Sequence, residues 1–274
     1  MARRRVRRVA LGAAVLGVAG MLACIAPRRL IFPAPRPRPV PVPPGAALLE
    51  IPVGTAPGPA FALHLPAPPG APTLVWFHGN AEQLADQLPL AERLHARGLG
   101  VYAIEYPGYG PASQSGRPSE RAIYAAAEAA LAHLRQALGV PPARTVLAGR
   151  SLGSGVAVEM ARRGHGARLL LLSAYTSIPE VAAWHLGGLP LGWLVRDRFD
   201  SAAKTAELQL PVLLVHGTRD PVIPAAMSER LAASLPRAEV VLVPGAGHND
   251  LFARGGEPLF ERFCGFALQE SAGP

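Results

Sequence analysis

A series of short, almost unbroken apolar runs limits the possible folds more than anything else in this chain, with Leu169-Leu170-Leu171-Leu172 the purest of them. A strand with one wet face alternates polar and apolar residues, whereas a run that is apolar at every position must be covered on both sides. Residues 60–65, 74–77, 101–104, 146–148, 169–172, 212–215 and 240–243 read as strands. Between and after them, 82–96, 119–138, 154–163, 225–235 and 257–268 read as helices, the second with Ser119 as its cap. Strands alternating with helices predict a mostly parallel central sheet flanked by helices on both faces.

One strand-to-helix junction is unusually informative. Gly149-Arg150-Ser151-Leu152-Gly153 joins the apolar run Val146-Leu147-Ala148 to a helical segment. A serine in such a G-x-S-x-G turn sits on a strained, tight bend, and its neighbours must be almost free of side chain. Its hydroxyl is lifted clear, and the Leu152 N–H points from a helix N-terminus toward any anion formed there.

In an open parallel sheet, sites form at the carboxyl ends of the strands. Those ends carry His78-Gly79-Asn80, then Tyr106-Pro107-Gly108-Tyr109-Gly110, then the Ser151 turn, then His216-Gly217-Thr218-Arg219-Asp220, then Gly247-His248. The chain order is Ser, Asp, His. On this set the chain resembles the α/β-hydrolase superfamily, in particular its small membrane-anchored serine hydrolases, from Arg29 to the C-terminus. Ser173-Ala174-Tyr175-Thr176-Ser177, Phe199-Asp200-Ser201 and Gly247-His248-Asn249-Asp250 carry the same resemblance. Pro107 departs from it, standing where such proteins often have arginine.

The roles follow from chemical need. Ser151 is a weak nucleophile until a base takes its proton. His248 is the candidate base, because imidazole titrates near neutral pH. Asp220 is the candidate acid that fixes its tautomer. The backbone N–H groups of Asn80 and Leu152 are expected to form the oxyanion hole. Asp250 is the rival acid, more plausibly a cap of the last helix, and Asp197 and Asp200 are weaker rivals. His78 and His216 precede glycine turns and are expected to brace loops. No spacing suits a metal, and no phosphate loop or dinucleotide fingerprint occurs, so no cofactor is implied.

Between residues 172 and 211 lies a short insert where this superfamily carries a lid. It is rich in Trp, Leu and Gly, and Trp184 and Trp193, with Tyr109, are candidate substrate contacts. An acyl-binding wall, a bilayer-touching surface and a plain packing helix all fit that composition.

The formal net charge is +8, but nine of the 27 basic residues precede position 40, leaving 18 against 19 acids. The folded part is therefore near neutral, which excludes a nucleic-acid footprint. Residues 9–26 are uncharged and mostly apolar, about the shortest stretch that can span a bilayer, and arginines flank both ends. The organisation expected is thus a membrane anchor or signal segment at 1–28, a Pro/Arg-rich linker at 29–47 and a catalytic domain at 48–270. Five arginines precede the run and four follow soon after, a lean toward an extracytoplasmic domain. A lipoprotein acylated at Cys24 is the less favoured alternative.

The reading is a serine hydrolase of carboxylic esters or thioesters, acting through an acyl-serine on small-molecule or lipid-like acyl substrates at a membrane. The alternatives are a serine peptidase with the same triad, an acyltransferase, and a non-catalytic binding protein on the same fold. Oligomeric state is not legible.

Overall fold

The computed structural model describes residues 31–188 and 192–269. Its strands are β1 (Ala47–Ile51), β2 (Ala60–Leu65), β3 (Thr73–Phe77), β4 (Gly100–Glu105), β5 (Thr145–Arg150), β6 (Arg168–Leu172), β7 (Val212–Gly217) and β8 (Ala238–Val243). They form one sheet in the order β1-β2-β4-β3-β5-β6-β7-β8, in which β2 alone runs against the others. The helices are α1 (Leu84–His95), α2 (Glu120–Gln136), α3 (Leu152–Arg162), α4 (Ile178–His185), α5 (Ala225–Ala233) and α6 (Leu251–Leu268). This is the α/β-hydrolase fold.

The apolar strands behave as their composition requires. Leu147, Leu169 and Leu171 face one core with α2, α3 and α5, while Val146, Ala148 and Leu170 face a second core with α1 and α6. Each buried leucine contributes on the order of 1.5–3 kcal/mol. Strand order reverses around β3, between β4 and β5, and such a reversal opens a crevice at the strand ends. Phe77 pairs with Gly149 and Gly149 with Leu171, so the residues that follow β3, β5 and β6 emerge at one level.

Several expectations need correction. Strand β1 was not anticipated, because it is a half-exposed edge strand whose alternating burial gives only a weak apolar signal. Helix α6 starts at Leu251 rather than near 257, with a break at Gly256 (φ 62°, ψ −162°) that accounts for the late reading. The insert holds α4, with Ser177 Oγ accepting the Glu180 N–H at its start. The described part of the expected Pro/Arg-rich linker at 29–47 lies along the domain. Phe32 is buried and meets Phe199 edge-on at 6.2 Å. Gln83 accepts the Arg38 N–H at 2.9 Å and donates to the Arg36 carbonyl at 3.2 Å.

Among the described residues no helix is long and apolar enough to cross a membrane. The run at 9–26 and Cys24 lie outside them, as do Leu189 and Leu191 of the insert.

One buried carboxylate ties the α3 face together. Glu159, 4% exposed, accepts from Arg162 and Arg163 at 2.8 Å each and pairs with Lys204 at 3.0 Å. Burial alone would raise its pKa, but the hydrogen bonds from Arg162, Lys204 and Arg163 outweigh it and bring the carboxyl from 4.5 down to about 2. A folded-state pKa below the unfolded one stabilises the fold above the unfolded value, and that contribution is lost as pH falls through the folded one. Glu159→Gln should therefore lower stability by about 2 kcal/mol near neutral pH, the scale of broken charge-assisted hydrogen bonds. The deficit should shrink as pH falls from 4.5 toward 2. Urea unfolding of both proteins across that range checks it, and a deficit that persists at the acid end would refute the ionised pairing.

Candidate active site

The turn between β5 and α3 holds Ser151 at φ 50°, ψ −119°, a conformation L-residues avoid. Its neighbours show why side chains are excluded. A Cβ on Gly149 would lie 2.2 Å from the Gly153 carbonyl oxygen, and one on Gly153 would lie 2.0 Å from the Phe77 oxygen. The bend is held from both sides. Ser151 donates its N–H to the Leu172 carbonyl at 2.9 Å, and Ser154 donates its hydroxyl to the Ser151 carbonyl at 2.6 Å.

The ends of β7 and β8 bring the other two candidates to it. His248 Nε2 lies 2.9 Å from Ser151 Oγ, and His248 Nδ1 lies 2.7 Å from Asp220 Oδ2. Asp220 is gripped on both oxygens. Oδ1 accepts the N–H groups of Val222 and Ile223 at 2.8 and 2.9 Å, and Oδ2 also lies 3.2 Å from His216 Nε2. Desolvation would raise this carboxyl, but the bonds from His216, His248 and Ile223 hold it well below the ordinary carboxylate range. An ionised Asp220 can only accept, so the network assigns the His248 proton to Nδ1 and leaves Nε2 free to take one from Ser151.

Asn80 and Leu152 border the same cavity of about 430 Å³ as Ser151 and His248. Leu152 opens α3, so its N–H has no acceptor one turn earlier. The Asn80 side chain is fixed at both ends, donating to the Ile31 carbonyl and accepting from the Tyr109 hydroxyl. Tyr109, expected as a substrate contact, does not border this cavity. It is fully buried, and its hydroxyl, 2.9 Å from Asn80 Oδ1, steadies the loop that carries the Asn80 N–H.

Trp184 and Trp193, the other two expected contacts, lie at the surface. They are 48% and 77% exposed, and neither borders the cavity, whose apolar wall is made by Ile178, Val181, Val222 and Ile223. They are not packed beneath the insert either. With Leu186 and Leu194 they make an exposed apolar surface, which the His185 Nε2 bond to the Val222 carbonyl ties to the rim of the cavity.

The rival acids are engaged elsewhere. Asp250 sits at the start of α6 without capping it, and instead accepts the Gly247 N–H at 2.6 Å, steadying the His248 loop. Asp197 accepts the Glu120 N–H at the start of α2, and Asp200 accepts the Ala203 N–H. His78 braces the β3–α1 loop, as expected, with Nδ1 and Nε2 each 2.8 Å from Gly79 O and Glu105. Sequence reasoning missed Glu105, which also accepts the Leu84 N–H, and Glu82, which accepts the Gly79 N–H and pairs with Arg150. It also missed that His216 reaches Asp220, although the four-residue spacing across a tight turn was a usable signal. Among the described residues no group of three or more His, Cys, Asp or Glu is arranged to hold a metal ion.

Two family models match the chain. One described as serine aminopeptidase S33 covers residues 69–196, and one described as TAP-like protein covers 191–258. An uncharacterized protein of Mycobacterium tuberculosis is 42% identical over 65% of this chain and 63% of its own length, so the chain spans less than two thirds of that relative. The human alpha/beta hydrolase domain-containing protein 17B is 34% identical over 72% of this chain and 67% of its own. Among solved structures, a Pyrococcus furiosus esterase superposes with a TM-score of 0.67 at 17% identity, covering 88% of this chain and 97% of its own. That last likeness speaks for the fold alone.

Proposed function

Because the chain belongs to the α/β-hydrolase superfamily, we propose that it is a serine hydrolase cleaving carboxylic esters or thioesters. The observation that carries this reading is His248 standing within hydrogen-bond distance of both Ser151 and Asp220. Ser151 Oγ attacks the carbonyl carbon as its proton passes to His248 Nε2. The carbonyl oxygen becomes an oxyanion bonded by the Asn80 and Leu152 N–H groups, an interaction worth about 10²–10³ in rate per donor. The bond to the leaving oxygen or sulfur breaks, and that atom departs with the proton from His248. Water then attacks the acyl-serine, giving one proton to His248, and the carboxylic acid leaves as Ser151 regains that proton, the acid then ionising in solvent. Asp220 stays ionised throughout and stabilises the imidazolium.

The aliphatic wall of Ile178, Val181, Val222 and Ile223 supports an acyl chain as the group held. Residues 9–26 and the exposed Trp184, Leu186, Trp193 and Leu194 support work at a lipid surface, with 9–26 as an anchor and the domain outside the cytoplasm. The insert acts as a small lid. A peptidase reading draws on the serine aminopeptidase family model, but needs a free carboxylate to hold a peptide amine. Glu82, the carboxylate bordering the cavity, is already taken by Arg150 and the Gly79 N–H.

Two measurements test the proposal. A fluorophosphonate should label Ser151, and a folded, unlabelled protein would sink the enzyme reading. Across alkanoate esters of one alcohol, kcat/KM should rise about threefold per added methylene until the wall is covered. Turnover indifferent to acyl length would remove the acyl-chain part of the proposal.

A further inference from the structure

Two cavities meet at His248. The one of about 430 Å³ contains Ser151, the oxyanion residues and the aliphatic wall. A second, of about 290 Å³, lies toward α1 and α6, and the two share Glu82, His248 and Asn249. The walls of the second differ in chemistry. Arg150, Asp86 and Gln87 join Glu82 there, with Trp76, Leu90 and Phe252 as the apolar part. Its polar groups are linked: Trp76 Nε1 donates to Gln87 at 2.9 Å, and Gln87 donates to Glu82 at 3.2 Å. Arg150, immediately before Ser151, pairs through one Nη with Glu82. A guanidinium has five N–H donors, so this pair leaves Arg150 with donors to spare.

Stereochemistry assigns the two spaces. Once Oγ has added to the carbonyl carbon, the oxyanion lies toward Asn80 and Leu152 and the acyl chain along the aliphatic wall. The remaining substituent is the leaving group, and its heteroatom must take the proton held on His248 Nε2. It therefore lies on the His248 side, where the second cavity opens. We propose that this cavity receives the leaving-group half of the substrate and selects a small hydrogen-bonding alcohol or thiol, of the polyol kind, over a second hydrocarbon chain. Arg150 is its specificity-determining residue, donating to an oxygen of the departing group. The inference rests on the hydrolase reading above and adds the chemistry of the second substrate half.

Glu82 also holds the Gly79 N–H beside the oxyanion loop, so Arg150 could have been a brace alone. A ratio separates the two. The esters are monooctanoylglycerol and ethyl octanoate, which share an acyl chain, and the readout is the quotient of their kcat/KM values with Ser151→Ala as blank. Wild type should favour the glycerol ester about tenfold, the scale of one charge-assisted hydrogen bond, and Arg150→Met should remove most of that preference. Leu90→Phe, which narrows the cavity away from the triad, should lower the same quotient. If Arg150→Met depresses both esters equally and Leu90→Phe leaves the quotient unmoved, the assignment is overturned. Ser151-dependent turnover by a wild type with no preference overturns this inference alone. No turnover of either ester by folded protein overturns the hydrolase reading together with it.

Discussion

Asp220→Asn should lower kcat for ester hydrolysis about 10³–10⁴-fold without unfolding the protein, the scale this change has in other Ser-His-Asp enzymes. The magnitude follows from which atom of the amide goes where. Asp220 Oδ1 accepts two backbone N–H groups, so the amide oxygen of asparagine must take that position. The NH₂ group then replaces Oδ2 and faces His248 Nδ1 and His216 Nε2. His216 Nε2 lies 2.9 Å from the Ile223 carbonyl, which can only accept, so it keeps its proton. His248 must relieve the second conflict by moving its proton to Nε2, the atom that has to receive the proton of Ser151. The base is then occupied before the reaction begins. Steady-state turnover and the rate of fluorophosphonate labelling should fall together while thermal unfolding moves little. Labelling at the wild-type rate would remove Asp220 from the role assigned to it.

Replacing Ser151 separates chemistry from strain. Ser151→Ala and Ser151→Gly should both lose on the order of 10⁶ in kcat, since nothing else at the turn can form the acyl-enzyme. Their stabilities should differ. Alanine keeps a Cβ at φ 50°, ψ −119° and so keeps the strain, which typically costs about 1–3 kcal/mol. Glycine removes it at an entropic cost of about 0.5–1 kcal/mol. Ser151→Gly should therefore be roughly 1 kcal/mol more stable than Ser151→Ala, a rise of about 2–4 °C in melting temperature for a domain of this size. Calorimetry of the two inactive proteins reads the difference directly. Equal melting would mean the bend stores no more than the entropic cost of the glycine.

What could be read from the amino acids tracks how many faces of an element are buried. Strands β3, β5, β6 and β7 are covered on both sides, and their apolar runs marked them, whereas the half-exposed β1 left almost no trace. The convergence of Ser151, Asp220 and His248 was legible because a parallel sheet delivers every strand end to one edge, so position after a strand substitutes for a distance. The groups around them were not, because their parts come from segments unrelated in sequence. Nothing in the sequence signals that Asn80 would claim the Tyr109 hydroxyl. The contact of Arg150 with Glu82 spans two strand ends, and no local pattern announces it. The docking of the linker was hidden for the same reason: prolines and arginines describe the stiffness and solubility of 31–46, not the single buried Phe32 that fastens it.

That fastening sets a length scale. The Ile31 carbonyl is bonded to the Asn80 side chain, so the first described residue is already attached to the loop bordering the reaction centre. Between Ile31 and the end of the apolar run at Ala26 lie Pro27, Arg28, Arg29 and Leu30. At roughly 3.5 Å per residue, even a fully extended chain reaches only about 17 Å. If residues 9–26 sit in a bilayer, as proposed, the reaction centre becomes a fixed-height tool. It can reach bonds near the headgroups but not bonds displayed far above them, and lengthening the leash should change which bonds it meets without altering a single catalytic atom.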